Sequence, residues 1–208
     1  MKPLLAASLL LCAALCHAQT SAAQPAPAEA ATSKAPSQSL EAAATERNNT
    51  EIRRLLAEYR ESLRSDAALA PLWEKCPTAP NEATAAQLAR TDKISSEDSE
   101  RMNEVARRTE RYQQEVYRLL VSLGVGEPLL QAWSGGGRAA AKLRQRLTDR
   151  LITWGQYNTR LRDLTTAHRM ALADTADALE LKDEKKRAQG VERASRDIEQ
   201  AYARALGR

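Results

Sequence analysis

Phenylalanine does not occur among the 208 residues of this chain, and aromatic side chains of every kind make up only 4%. An interior built on stacked rings is thereby excluded, so Leu and Ala must supply most of the apolar volume. Histidine is confined to His17 and His168, and cysteine to Cys12, Cys16 and Cys76. So sparse a set contains no Cys-x-x-Cys redox pair and no zinc site of the usual composition. Val, Ile and Thr never cluster, and no stretch alternates apolar and polar residues long enough for a strand. Charge of one sign is also missing: 31 basic residues face 27 acidic ones, a formal +4. That mixture argues against an obligate binder of nucleic acid. With 43% hydrophobic and 28% charged residues, the chain has the balance of a globular protein.

What is present begins with an address. Residues 1–18, MKPLLAASLLLCAALCHA, join a basic start at Lys2 to an apolar run from Leu4 to Leu15 and a small residue at Ala18. The pattern predicts a Sec-type signal peptide cleaved after Ala18. Its apolar run falls well short of the roughly 20 residues a membrane span needs, and no later stretch reaches that length. The mature chain is therefore expected in a bacterial periplasm or secreted, with no transmembrane span. Cleavage removes two of the three cysteines and leaves Cys76 alone. Between Pro71 and Pro80, Cys76 reads either as a small buried hydrophobe or as a candidate intermolecular disulfide or reactive thiol.

Residues 19–39 are Ala, Pro, Ser, Gln and Thr with only Glu29 and Lys34 charged. Such a composition cannot bury enough apolar surface to offset the entropy of ordering, and predicts a disordered linker. Residues 40–208 then read as a helical domain. Ile52, Leu55, Leu56, Tyr59 and Leu63 share one face of a helix that Pro71 should stop near Ala70. Asn81 is a plausible cap for a short helix from Glu82 to about Arg90. Ser95 or Ser96 caps the next helix, where Met102, Val105, Thr109, Tyr112, Val116, Leu119 and Leu123 form a heptad seam. Gly124 closes it.

Ser134-Gly135-Gly136-Gly137 is expected to break the chain and feed one long helix from Arg138 to about Gln189. Unbroken, that helix would span about 75 Å at 1.5 Å per residue. Its buried stripe would run through Leu143, Leu147, Leu151, Trp154, Tyr157, Leu161, Leu164, His168, Leu172, Thr175 and Leu179, with Gly155 as a possible kink. Gly190 would separate a last helix carrying Ala194, Ile198 and Tyr202 inward. The expectation is an all-α, elongated antiparallel bundle with coiled-coil-like packing.

Candidate chemistry is thin. The triple glycine lacks the Lys-Ser/Thr ending of a phosphate loop and reads as a connector. Asp174, Asp177, Glu180 and Glu184 make a solvated acidic stripe. His168 falls on the buried stripe, and with Thr165 three residues before it the Glu-x-x-His pattern of di-iron bundles is absent. No catalytic residue, metal ligand or cofactor is indicated. Arg138, Lys142, Arg144, Arg146 and Arg150, against Asp149 alone, form the densest basic stretch. This is the candidate surface for an anionic partner.

The function expected is that of an exported interaction or structural protein of the cell envelope, an adaptor, assembly or chaperone-like factor acting through helix faces. Its partner would be another envelope protein or a second copy of itself. The alternatives are a binding module for anionic envelope polymers or lipids, and a carboxylate-based hydrolase of wall polymer.

Overall fold

The structure, a computed structural model, describes residues 36–207. The expected signal peptide, residues 1–18, and the expected linker up to residue 35 lie outside the described residues. Regular structure among the described residues is entirely helical: α1 (Pro36–Arg64), α2 (Ala85–Leu88), α3 (Ser96–Ser122), α4 (Glu127–Thr148), α5 (Trp154–Leu179) and α6 (Glu184–Ala205). Short 3-10 turns occupy Ala70–Leu72 and Pro80–Glu82. Among the described residues no helix is long and apolar enough to cross a membrane.

Successive long helices run antiparallel. Tyr59 of α1 stacks on Tyr112 of α3 at 4.7 Å between ring centroids, while Asp66, beyond the end of α1, pairs with Arg108 at 2.5 Å. Gly136, near the start of α4, abuts His168 in the second half of α5, and Gly190, early in α6, abuts Ala178 at the end of α5. Leu143, Leu147, Trp154 and Leu172 are fully buried between these layers. Burying a Leu side chain contributes about 1.5–3 kcal/mol, so this shared interior, rather than any one helix, holds the domain together.

The helix ends differ from the sequence expectation for identifiable reasons. Residues 36–39 belong to α1 instead of the linker, because Pro36 is tolerated in a first turn and Ala42–Ala44 are strong helix formers. The helix stops at Arg64, not near Ala70, where Asp66 Oδ1 accepts the Ala68 N–H at 2.9 Å and redirects the chain. Thr84, not Asn81, caps α2, in a reciprocal box with Gln87.

Glycine explains the larger corrections. Ser134–Gly137 does not break the chain but lies inside α4, and Gly190 lies inside α6. A Cβ on Gly136 would fall 2.4 Å from the His168 ring, one on Gly137 2.8 Å from Gln113 Oε1, and one on Gly190 2.8 Å from the Ala178 Cβ. These glycines let neighbouring helices approach closely.

Conversely, the helix expected from Arg138 to Gln189 is interrupted twice. Arg150 adopts a left-handed φ of 58°, and Leu151 turns out to 60% exposure instead of joining the buried stripe. Thr153 then opens α5 through a capping box with Gln156. Asp183 accepts the Lys186 N–H at 2.9 Å and opens α6.

The segment between α1 and α3 is fixed by buried polar groups. Asn158 of α5 donates to the Lys75 and Gln87 carbonyls at 2.8 and 2.9 Å, and Gln87 Nε2 donates to the Trp73 carbonyl at 2.9 Å. Lys75 forms an ion pair with Asp98, whose side chain is 2% exposed, and Arg101 adds a contact at 3.2 Å.

Burial opposes ionisation of Asp98, yet hydrogen bonds from Lys75, Ser95 and Arg101 outweigh it and hold the carboxyl below its ordinary 3.8. Its stabilising effect is therefore present above pH 3.8 and lost as pH falls through the folded-state value. Asp98→Ala should cost about 3 kcal/mol at pH 7, since it leaves Lys75 without its buried partner. Urea unfolding measures this, and a loss below about 0.5 kcal/mol would show that the pair does not anchor the segment.

Candidate ligand-binding site

The inner face of α3 carries Met102, Thr109 and Tyr112 where Leu would pack more densely, and it buries Leu120 fully where the sequence spacing pointed to Leu119. Opposite it, α4 presents Gly136, Gly137 and Ala140. Small residues facing irregular ones leave space, and a cavity of about 330 Å³ opens between α1, α3, α4, α5 and the 73–81 segment. That volume lies within the range of small-molecule sites.

Its inner wall is formed by Leu63, Cys76, Met102, Gly136, Tyr157 and Leu164, all buried. At its outer end Asn81, Arg162, Thr166 and Arg169 are exposed. Trp73, Trp133 and the Tyr59–Tyr112 stack complete an aromatic lining. The Tyr59 hydroxyl donates to Thr109 Oγ1 at 2.9 Å, and Thr109 donates in turn to the Val105 carbonyl at 2.7 Å, which keeps that part of the wall from needing water.

A groove of about 590 Å³ runs along the outside between α3 and α4. Arg118, Arg138 and Arg144 line it, with Glu110 as its acidic residue. Thr109, Gln113, Trp133, Gly137 and Arg144 border both spaces. Arg144 is thus half-buried in the partition between groove and cavity, and its Nε has no hydrogen-bond partner among the described residues.

Burial sets the charge state of the cavity. It pushes the Tyr112 and Tyr157 hydroxyls and the Cys76 thiol up to about 12. For His168 it works the other way and lowers the imidazole to about 4, against a smaller opposing effect of a hydrogen bond with the Ala132 backbone. At neutral pH these four groups carry no charge. Arg60, Arg144, Arg162 and Arg169 remain as cations, and no Asp or Glu is among the lining residues. His168 Nε2 and Trp73 Nε1 also lack hydrogen-bond partners.

The basic residues singled out in the sequence are divided by the fold. Arg138 and Arg144 meet on the groove. Lys142 is exposed and Arg146 half-buried, and neither borders groove or cavity. Arg150 is directed elsewhere: it donates to Ser96 Oγ at 3.2 Å, and its carbonyl accepts from Lys93 Nζ at 2.9 Å. Cys76 is 4% exposed, so a disulfide to another chain would require the 73–81 segment to open. Asp174, Asp177, Glu180 and Glu184 are all exposed. Among the described residues no group of three or more His, Cys, Asp or Glu is placed to hold a metal ion.

Trp73, Trp133, Arg60, Arg162 and Arg169 escaped the sequence reading, since each looked like an ordinary core or surface residue. The available signal was the combination of a loosely filled α3 seam with three consecutive glycines. No protein-family model matches this chain, and neither does any curated protein or solved structure.

Proposed function

We propose that this chain is an exported binding protein of the cell envelope that holds an anionic ligand at Arg144 and acts by binding instead of catalysis. In this reading residues 1–18 direct export, residues 19–35 form a disordered tether, and the helices make an elongated, coiled-coil-like bundle. The observation that supports it is the composition of the cavity lining, which includes four arginines and neither Asp nor Glu. Arginine's planar fork matches carboxylate and phosphate groups, and its attraction for them strengthens away from bulk water.

Native mass spectrometry of the protein recovered from an envelope fraction tests this. The expected result is a chain beginning at Gln19 with an anionic small molecule bound close to one per protein, and at least tenfold less of it on an Arg144→Gln variant. A protein that keeps residues 1–18, or carries no ligand, would contradict the proposal.

A second reading, contact with a protein through a helix face, has one specific support. Tyr117 and Val121 lie four residues apart on α3 and are 37% and 50% exposed, and Tyr117 borders the groove. Such a strip can meet an envelope partner or a second copy. Sedimentation of the purified protein distinguishes the latter: a monomer at every concentration removes self-association.

A further inference from the structure

We infer that the ligand is a single-chain anionic amphiphile, with its head at Arg138 and Arg144 in the groove and its hydrocarbon chain in the interior cavity. This rests on the anion-binding reading above and extends it to the apolar space behind Arg144. The groove and the cavity share Arg144, Gln113 and Gly137, so one molecule can occupy both by passing a single partition. That partition is thin. Gly137 has no side chain, and the Gln113 amide oxygen packs 2.8 Å from where its Cβ would be.

The two compartments differ in character as the two ends of an amphiphile do. On the groove side stand Arg118, Arg138 and Arg144. Inside stand Met102, Trp133, Leu161 and Leu164, on walls whose tyrosines are held neutral by burial. Dry cavities of about 150 Å³ accept benzene. A space of about 330 Å³ therefore suits a chain of about ten carbons.

Arg144 is the better anchor for the head because it borders both spaces, with its guanidinium held by the Tyr157 hydroxyl and its Nε unsatisfied, whereas Arg162 at the other end lies 3.6 Å from Asp163. The unpaired Nε2 of neutral His168 and Nε1 of Trp73 add two polar points to the cavity without adding charge, and of its other cations Arg162 and Arg169 are exposed at the far end and Arg60 is half-buried.

Calorimetric titration with linear alkyl phosphates and alkyl carboxylates, each below its micelle-forming concentration, tests the inference alongside inorganic phosphate and the parent alcohols. Affinity should rise about fourfold per added methylene and level off near ten carbons. The alcohols should bind at least tenfold more weakly, and which head binds better identifies the anion. Brominated chains should quench Trp73 and Trp133, which line the cavity, but not a variant keeping only Trp154. Ala140→Phe, which narrows the cavity, should bring the plateau to shorter chains. The series on the unaltered protein decides the matter even if that variant does not fold.

Phosphate binding without any gain from chain length would overturn the amphiphile and leave the anion reading standing. A chain-length gain with no preference over the alcohols would overturn the anion reading. Binding of none of the probes would overturn both.

Discussion

Acidification from pH 6.5 to pH 4 should cost the folded protein about 3 kcal/mol through His168 alone. Enclosure between α4 and α5 keeps the imidazole neutral down to about pH 4, whereas in the unfolded chain it takes up a proton at its ordinary 6.5. The unfolded state thus binds more protons throughout that window. Stability contributed by the neutral ring is complete above pH 6.5 and declines as pH falls toward 4. The close approach that buries the ring depends on Gly136, whose absent side chain leaves room for it. Carboxylates such as Asp98 and Asp66, held below an ordinary 3.8, act at lower pH and do not produce this slope. Denaturant unfolding at half-unit pH intervals measures it. His168→Gln should flatten the curve between pH 6.5 and 4, whatever its effect at pH 7. An unaltered slope in that variant would show that His168 is not buried neutral.

Gly155→Ala should destabilise the fold by about 3 kcal/mol, although alanine is worth about 1 kcal/mol more than glycine in a helix. The first turn of α5 must satisfy its free N–H groups, and it does so on the chain before α3. Trp154 donates to the Asp92 carbonyl and Gly155 to the Arg90 carbonyl, both at 3.0 Å. A Cβ on Gly155 would lie 2.4 Å from both the Leu88 and the Arg90 carbonyl oxygens. Backbone oxygens cannot swing aside as a side-chain tip can, so docking itself must loosen. Gly135 gives the contrast within α4: its Cβ would meet the Tyr202 ring at 3.3 Å. Gly135→Ala is therefore expected within about 1 kcal/mol of the parent, as helix propensity offsets a mild contact. Urea unfolding of the two variants compares them directly. Equal effects would mean that helix propensity alone governs these glycines.

Those glycines mark where the sequence was legible and where it was not. Apolar spacing predicted the helical character of the chain and much of its inner face, from Ile52 and Leu63 to Ile198 and Tyr202. Ser95 was readable as a cap because acids follow it at once. The interruption at 149–153 was hidden because Leu147, Leu151 and Trp154 keep the helical period across it, while Thr153 and Gln156 mark the true start. Gly135–Gly137 misled in the opposite sense, since a residue without a side chain serves close packing as well as bending, and only the neighbouring helix decides which.

The candidate site was half legible. Arg138 and Arg144 stood out by charge, but only as members of a stretch that also holds Lys142, Arg146 and Arg150, and charge density alone does not say which of the five meet on the groove. Side chains from α1, α3, α4, α5 and the 73–81 segment enclose the cavity, and no pattern within one segment announces such a space.

The most direct test of an aromatic cavity entered past Arg144 is the crystal structure of the protein grown with decyl phosphate. A phosphorus atom is expected within reach of the Arg144 guanidinium, with alkyl density running inward between Trp133 and Leu164. A structure in which side chains close that space, or in which the ligand lies on an outer surface away from Arg144, would contradict it.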